Sequence, residues 1–267
     1  MKIAVLGARG FVGSSLTKHL SVRHNVVPVV RSTVDLLDYQ QVFDFLKKEK
    51  FDIIINAAAV MTDPTSFADT RNNLGIFMNF FNSSGMFEKF INLGSGAEFD
   101  RSINIENISE DQIFKRMPED SYGFGQNIKS RLCLSRNNFY TLRLFNCFGQ
   151  GEYSSRIFPK FVSKQNEQTF DLQNDRYFDY FSITDLCKVV DYYIDEDPIY
   201  PDINCVYKDK YKISQVLEKF VNEKKLKNNI NIVSTSTNNY TGDYKKLYSC
   251  NIELDGLVKG LKNYVFN

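Results

Sequence analysis

The sequence predicts an α/β fold built on a doubly wound parallel sheet with helices on both faces. The chain opens with an apolar run over residues 2–6, three glycines spaced three apart, and an amphipathic segment over 11–20. Strand-like and helix-like segments then alternate as far as residue 145, which is the pattern of a parallel sheet. After Gly149 short strands mix with helices, and this indicates a smaller mixed lobe at the carboxyl ends of the strands.

Composition excludes several classes of partner. The chain has 267 residues and a formal net charge of +1, so nothing in its bulk charge favours nucleic acid or a membrane surface. No apolar run has the length of a membrane span, and the N-terminus reads as a core strand rather than a signal peptide. The five cysteines have neither C-x-x-C nor metal-ligand spacing. We therefore expect reduced thiols, no metal and a cytoplasmic location.

The glycine turn after the first strand predicts a dinucleotide cofactor. Gly7 would allow the turn, Gly10 would let the backbone approach a phosphate, and Gly13 would let the helix lie close to the strand. The free N–H groups of the helix N-terminus would then face a pyrophosphate. The spacing is G-x-x-G-x-x-G rather than G-x-G-x-x-G, so a turn in another kind of α/β protein is the alternative. The predicted contacts in this turn are Gly7, Arg9, Gly10, Phe11, Val12 and Gly13.

The end of the second strand indicates which dinucleotide is bound. The apolar run over 25–30 ends in Arg31 and Ser32. An acid at this point bonds the ribose 2′-hydroxyl, whereas arginine accommodates a 2′-phosphate. Arg31 and Ser32 therefore favour NADP over NAD, and Arg9 can reach the same phosphate. The alternative for each arginine is a solvated loop charge.

Six further segments, three strands and three helices, complete the predicted sheet and the helices of its two faces. A helix over 39–48 precedes a strand over 51–59 that ends in Ala57, Ala58 and Ala59, small residues that let a cofactor approach the backbone. The later periodic segments predict a helix over 67–81, a strand over 90–96, a helix over 121–134 that Ser121 can cap, and a strand over 139–145.

The mixed region after Gly149 has a looser pattern. We expect short strands near 169–172 and 179–182, and helices near 157–163, 184–194, 214–224 and 254–264.

The motifs, in their order and spacing, resemble the extended short-chain dehydrogenase/reductases, which are NAD(P)-dependent epimerases, dehydratases and reductases of nucleotide sugars. Within that family the pattern is most similar to dTDP-4-dehydrorhamnose reductases and GDP-fucose synthases. The motifs that carry the resemblance are the glycine turn, Asp35-Leu36, the sequence over 56–59, Gly94-Ser95-Gly96, Ser121-Tyr122-Gly123, and the sequences over 142–149 and 180–186.

The resemblance implies a division of the chain and two contacts to the cofactor. A Rossmann domain would cover residues 1–149, with a segment around 177–195 returning to it. The substrate lobe would cover 150–267. Asp35 would bond the adenine amine, and Leu36 would pack on the adenine ring.

The resemblance also implies the catalytic pair. Ser95 would hydrogen-bond the reacting oxygen of the sugar, and Tyr122 would be the general acid–base group. As a phenolate Tyr122 accepts a proton from a sugar hydroxyl, and as a phenol it returns one during ketone reduction. For both roles we expect a tyrosine pKa lowered toward neutrality. The alternatives are a serine that bonds backbone and an ordinary aromatic residue at a helix start.

Gln126 departs from the Tyr-x-x-x-Lys motif of the family. The family lysine bonds the nicotinamide ribose and lowers the tyrosine pKa by its charge, whereas glutamine donates a hydrogen bond without a charge. Lys129, one helical turn further on, is either a displaced substitute or a solvated lysine. A reductase, which needs Tyr122 mainly as a proton donor, tolerates the loss better than an epimerase does.

The resemblance implies a substrate site and a dimer as well. Asn146 would lie near the substrate diphosphate, and Arg156 and Arg176 are candidates to bind it, with a surface ion pair as the alternative. Helices near 67–81 and 121–134 would form a homodimer interface, unless the apolar residues 77, 78, 80 and 81 belong to the core of the same chain.

Three functions remain open at this point. The first is an NADP-dependent reductase of a 4-keto group on a deoxy nucleotide sugar. The second is an epimerase or dehydratase that keeps its NAD bound, although Gly96 and Ala97 follow Ser95 where a dehydratase carries an acid pair. The third is a non-catalytic dinucleotide-binding protein, which Gln126 favours.

Overall fold

A six-stranded parallel sheet forms the centre of the protein. The structure is a computed structural model that describes residues 1–60, 63, 65–164, 167 and 169–266. The strands of the sheet are β1 (Lys2–Leu6), β2 (Asn25–Val29), β3 (Ile53–Asn56), β4 (Lys89–Ser95), β6 (Phe139–Leu144) and β10 (Asp202–Cys205). Their order is β10-β6-β4-β3-β1-β2, and every pairing is parallel. The chain thus turns one way from β1 to β2 and the other way from β1 to β3, which places a crevice between the carboxyl ends of β1 and β3.

Helices cover the sheet, and three parallel strand pairs lie outside it. The helices are α1 (Phe11–Leu20), α2 (Tyr39–Glu49), α3 (Phe67–Asn82), α4 (Ser121–Cys133), α5 (Ile157–Ser163), α6 (Ile183–Asp195), α7 (Ile213–Lys224), α8 (Lys245–Ser249) and α9 (Gly256–Lys262). The outer pairs are β5 (Ile105–Ile108) with β12 (Tyr240–Gly242), β7 (Cys147–Phe148) with β9 (Phe181–Ser182), and β8 (Thr169–Leu172) with β11 (Asn229–Ile232). No helix in the described part of the chain is both long and apolar enough to cross a membrane. The α/β fold class with a doubly wound parallel sheet is confirmed.

Most predicted elements appear within a few residues of their predicted bounds, and the differences have local causes. Helix α4 begins with Asp120 as its N-cap, because the Asp120 carboxylate accepts the Gly123 N–H at 2.7 Å, so the prediction of Ser121 as the cap is wrong. The predicted strands over 51–59 and 179–182 are shorter in the structure. Strand β10 was not predicted as part of the sheet, since its four residues, Asp202–Cys205, carry two polar side chains.

Alternating side chains of the strands enter two separate cores. Ile3 and Val5 of β1 pack with α1 and α6 on one face, while Ala4 and Leu6 pack with α2 and α3 on the other. This double burial explains why the strands read as continuous apolar runs. On the α3 face, the rings of Phe90 and Phe139 stack at 4.7 Å.

The apolar residues of α3 lie mainly inside the chain. Phe77 and Phe80 are fully buried, and Phe77 contacts Phe90 edge-on at 5.8 Å. Met78 and Phe81 are partly buried against the same core. The intrachain alternative therefore accounts for Phe77 and Phe80.

A buried arginine joins three elements beneath the carboxyl end of β4. Arg143 of β6 is inaccessible to solvent and donates from Nε to the Glu98 carboxylate, which is also inaccessible. Its Nη2 donates to Ser130 Oγ on α4 at 2.9 Å and to Asp202 Oδ2 on β10 at 3.2 Å. Its Nη1 donates to Asn204 Oδ1 at 3.1 Å. The guanidinium thus fixes the turn after β4 relative to α4 and β10.

Removing this guanidinium should strongly destabilise the protein. We expect Arg143→Met to lower the free energy of unfolding by about 3 to 5 kcal/mol, because it leaves the fully buried Glu98 carboxylate without the guanidinium. Asp202 loses the same partner and keeps its ion pair with Lys246. Urea denaturation followed by circular dichroism measures the change. The control is Arg23→Met, whose half-exposed guanidinium pairs with Asp191 and Asp195 at 3.0 Å and should contribute less than about 1 kcal/mol. Equal losses in the two variants would contradict a structural role for the buried pair.

Candidate active site

A cavity of about 850 Å³ lies over the carboxyl ends of β1, β3, β4 and β6. Parallel strands present their carboxyl ends at the same edge of a sheet, so residues far apart in sequence meet there. The predicted site residues that line the cavity are Gly7, Arg9, Gly10, Phe11, Val12, Gly13, Arg31, Ala57, Ala58, Ala59, Ser95, Tyr122, Gln126, Asn146 and Arg156. The structure therefore brings together the cofactor turn, the Ser95 and Tyr122 pair and two of the three predicted substrate residues.

The glycine turn has the shape that a bound dinucleotide requires. Gly7 has a φ of +74°, in the region that favours glycine, and a Cβ on it would lie 2.7 Å from the Ala57 carbonyl oxygen. A Cβ on Gly13 would overlap the Gly7 carbonyl, so α1 contacts the turn directly. Gly10 is the N-cap of α1 and has no side chain to cap its free N–H groups. These groups border the cavity, and the residues present fit a pyrophosphate there.

The two predicted arginines line the cavity, whereas the residues predicted to contact the adenine do not. Arg9 and Arg31 are exposed and border the cavity, as a 2′-phosphate would need. Ser32, Asp35 and Leu36 are not among its lining residues. The Asp35 carboxylate instead accepts the Leu37 N–H at 3.0 Å, and Leu36 packs against the core beneath α3. Their contacts to the cofactor stay predictions.

Ser95 and Tyr122 meet because two backbone segments approach closely. Ser95 ends β4 and caps a short 3₁₀ turn, Gly96–Glu98, by accepting the Ala97 N–H at 3.2 Å. A Cβ on Gly123 would lie 2.5 Å from the Ala97 carbonyl oxygen, so glycine is what lets the start of α4 contact this turn. The Ser95 N–H donates to Glu98 Oε1 at 2.9 Å. The same carboxylate that binds Arg143 therefore also orients Ser95.

The electrostatics of Tyr122 differ from the expectation. Burial raises the pKa of Tyr122 above its ordinary value, and hydrogen bonding to Ser95 and Gln126 with the positive charge of Arg101 offsets only part of that rise. The expected lowering toward neutrality is absent. A raised pKa favours the protonated phenol, the form that donates a proton.

Lys129 is buried and is not among the residues that line the cavity. Lys129 is 2% exposed, so the solvated-lysine alternative is wrong. Its ammonium interacts with Glu98 and Cys133, and burial lowers its pKa to about 8. Gln126 is also buried and occupies the cavity wall beside Tyr122, with no hydrogen-bond partner on its Oε1. A buried amide oxygen without a partner, on a residue that lines a cavity, fits a hydrogen bond to a ligand.

Two of the three predicted substrate residues bind one another. Arg156, the N-cap of α5, donates from Nη2 to the Asn146 side-chain oxygen and to the Cys147 carbonyl at 2.9 Å. Arg176 is not among the cavity residues; its Nη1 donates to the Asn238 carbonyl at 3.0 Å. The predicted diphosphate contact of Arg176 stays a prediction.

Sequence reasoning missed three residues of the site. Tyr240, on β12, is far from Ser95 in sequence and lies close to it in the fold. Its hydroxyl would lie 2.6 Å from a Cβ on Gly96, the residue that follows Ser95. Burial raises the pKa of Tyr240, and hydrogen bonding to Ser95 opposes the rise. Glu98 and Arg101 are the others, and both follow Ser95 within one loop. The signal that was available for Glu98 is its spacing, because a serine followed three residues later by glutamate is a capping box.

The fold and the cavity define a dinucleotide-binding α/β enzyme with a serine and tyrosine pair at its centre. The model of the NAD dependent epimerase/dehydratase family matches residues 3–205, and the chain belongs to that family. The predicted class, an NAD(P)-dependent oxidoreductase or epimerase, is confirmed at this level. No curated protein matches the sequence.

Solved structures resemble this chain over nearly its whole length. A GDP-mannoheptose C4 reductase from Campylobacter jejuni with NADP bound has a TM-score of 0.84 at 23% identity, covering 98% of this chain and 96% of that one. A dTDP-4-dehydrorhamnose reductase from Clostridium acetobutylicum has a TM-score of 0.81 at 18% identity, covering 99% and 98%. A GDP-L-fucose synthetase from Naegleria fowleri bound to NADP has a TM-score of 0.83 at 16% identity, covering 98% and 90%. At these identities the likeness shows the shared fold.

Proposed function

We propose that the protein is an NADP-dependent reductase of a 4-keto group on a deoxy nucleotide sugar. The observation that carries the proposal is the meeting of Ser95 and the Tyr122 phenol at the wall of the same cavity that the glycine turn borders. A proton donor serves ketone reduction directly, whereas oxidation of a hydroxyl needs the phenolate. The similar structures include a GDP-mannoheptose C4 reductase and a dTDP-4-dehydrorhamnose reductase, and both support the same direction.

The chain's own groups have defined parts in this reaction. Bound NADPH would supply a hydride to the keto carbon. Ser95 donates a hydrogen bond to the keto oxygen and polarises the carbonyl, and Tyr122 delivers its proton to that oxygen as the new C–H bond forms. The ketone becomes a secondary alcohol, and Tyr122 is left as a phenolate that water must reprotonate. Gln126, with a buried and unpartnered amide oxygen, would accept a hydrogen bond from the nicotinamide ribose.

Two positive side chains support NADP as the reductant. Arg9 stands inside the glycine turn and Arg31 follows β2, and both border the cavity from its exposed rim. A planar guanidinium suits a 2′-phosphate, and no acid borders the cavity in the described residues to bond a 2′-hydroxyl in its place. NADP or NADPH is also present in several similar structures.

The competing functions receive less support. A resident-NAD epimerase must deprotonate a sugar hydroxyl first, and a raised tyrosine pKa opposes that step. A non-catalytic dinucleotide-binding protein has no need for Ser95, Tyr122 and Tyr240 to converge, although Gln126 alone would suit it.

The proposal also covers the location and the oligomeric state of the protein. We place the protein in the cytoplasm as a homodimer. All five cysteines are free and buried, which suits a reducing compartment. Helices α3 and α4 pack side by side, with Thr70 Oγ1 donating to the Ser121 carbonyl at 2.8 Å, and Phe124 is exposed on α4. These two helices would form the interface.

Removing the Tyr122 hydroxyl should abolish most of the activity. We expect Tyr122→Phe to lower kcat by about 10²- to 10⁴-fold, with NADPH affinity unchanged, because only proton transfer is lost. Consumption of NADPH at 340 nm with a panel of 4-keto sugar nucleotides measures it, and Tyr39→Phe, at an exposed position of α2, is the control.

The pH dependence follows from the raised tyrosine pKa. The protonated phenol persists below its pKa, so the rate of the unaltered protein should stay level from about pH 6 to 9 and fall only as the pH passes that value. A rate that already falls through pH 7, or full activity of Tyr122→Phe, would sink the proposed role.

The cofactor preference should depend on the two arginines at the rim. We expect Arg9→Gln combined with Arg31→Gln to weaken NADPH binding by about tenfold or more and to leave NADH binding nearly unchanged, because only NADPH carries the 2′-phosphate. Fluorescence titration with each cofactor measures this, with Arg23→Gln as a surface control. A parallel loss for both cofactors would show that the arginines do not read the 2′-phosphate.

A further inference from the structure

Gln126 leaves the Tyr122 phenolate without the positive charge that the family lysine supplies. Proton donation in the proposed reductase creates that phenolate inside a shielded site, where a negative charge without a nearby cation is costly. Lys129 does not line the cavity, and its ammonium interacts with the Glu98 carboxylate instead.

Arg101 lies where such a cation is needed. Its guanidinium donates from Nη2 at 2.8 Å and from Nε at 3.3 Å to the two carboxylate oxygens of Asp120. Asp120 is the N-cap of α4, and Tyr122 stands in the first turn of that helix. Arg101 also follows the turn that Ser95 caps, so its position is tied to both members of the catalytic pair.

The charged groups and hydrogen-bonding side chains around the Tyr122 phenol come from four segments. Ser95 and Glu98 belong to the end of β4 and its turn, Arg101 to the loop that follows, Gln126 to α4, and Tyr240 to β12. The charge of Arg101 lowers the pKa of both phenols, and the charge of Glu98 raises it. Arg101 thus opposes the buried carboxylate beside Ser95.

We propose that Arg101 supplies the positive charge that stabilises the Tyr122 phenolate, in the place of the family lysine that Gln126 replaces. The inference rests on the reductase function proposed above. Arg101 acts through Tyr122 and has no contact to the substrate in this account. The Asp120 carboxylate holds the guanidinium in place and weakens its charge.

Two substitutions on the Arg101–Asp120 pair separate charge from structure. Arg101→Met breaks the pair and removes the charge, whereas Asp120→Asn breaks the pair, keeps an N-cap residue for α4 and leaves the charge of Arg101 unopposed. A merely structural pair predicts that the two variants behave alike. The charge role predicts that they shift the pKa of Tyr122 in opposite directions, upward for Arg101→Met and downward for Asp120→Asn.

The direct readout is the ionisation of the phenol, which needs no substrate. Tyr122 is replaced by 3,5-difluorotyrosine, whose phenol ionises nearer neutrality, and ¹⁹F NMR follows its titration in the otherwise unaltered protein and in each variant. We expect Arg101→Met to raise the measured pKa by about 1. We expect Arg101→Lys, which keeps the charge, to leave it nearly unchanged. An unchanged pKa in Arg101→Met, or shifts of the same sign in both pair variants, overturns the inference.

Kinetics then tell the two proposals apart. With natural tyrosine at 122, Arg101→Met should lower kcat about tenfold with little change in KM, and Arg101→Lys should restore it to within about threefold. If the unaltered protein reduces no 4-keto sugar nucleotide, the proposed function fails while the titration still decides whether Arg101 sets the tyrosine pKa. If the unaltered protein reduces the substrate and Arg101→Met does so with the same kcat, the proposed function stands and the inference about Arg101 fails.

Discussion

The buried ion pair between Arg143 and Glu98 is the interaction on which the geometry of the site depends. Glu98 receives the Arg143 guanidinium on one carboxylate oxygen and the Ser95 N–H on the other. Arg143 in turn binds Ser130 on α4 and Asp202 on β10. A single solvent-free guanidinium thereby fixes the end of β4 relative to the helix that carries Tyr122. Each carboxylate is satisfied, so the cost of burying three charges is offset by short contacts.

This arrangement also shapes the electrostatics of the reaction. A carboxylate placed behind Ser95 raises the pKa of Tyr122, in the same direction as burial. Both effects favour the protonated phenol, which is the form that the proposed reductase needs, and position 126 carries no lysine to oppose them. In the inference above, the positive charge of Arg101 lowers the pKa of Tyr122 and so opposes the effect of the Glu98 carboxylate. The substitution of lysine by glutamine is then compatible with catalysis in the direction of reduction.

The sequence predicted those parts of the fold and site that depend on local pattern or on the shared edge of a parallel sheet. The glycine turn, the alanines after β3, Ser95 and Tyr122 converge because each follows or faces a strand end. Tyr240 was beyond prediction, because only the pairing of β12 with β5 brings it to Ser95. The burial of Lys129 was also beyond prediction. Helical spacing shows which residues share a helix face, but it does not show that a buried glutamate interacts with that face. Aspartate and serine both suit an N-cap position, so residue type alone does not show that Asp120 rather than Ser121 caps α4.

Transfer of deuterium from the cofactor to the sugar distinguishes reduction of a keto sugar from epimerisation and from cofactor binding alone. The protein is incubated with NADPH deuterated on nicotinamide C4, in both stereospecific forms, and with 4-keto-6-deoxy sugar nucleotides. The product is then analysed by NMR and mass spectrometry. The account predicts a sugar alcohol that carries deuterium at C4, formed in a 1:1 ratio with oxidised cofactor. An epimerised sugar without net cofactor oxidation, or no product from any sugar nucleotide, would contradict it.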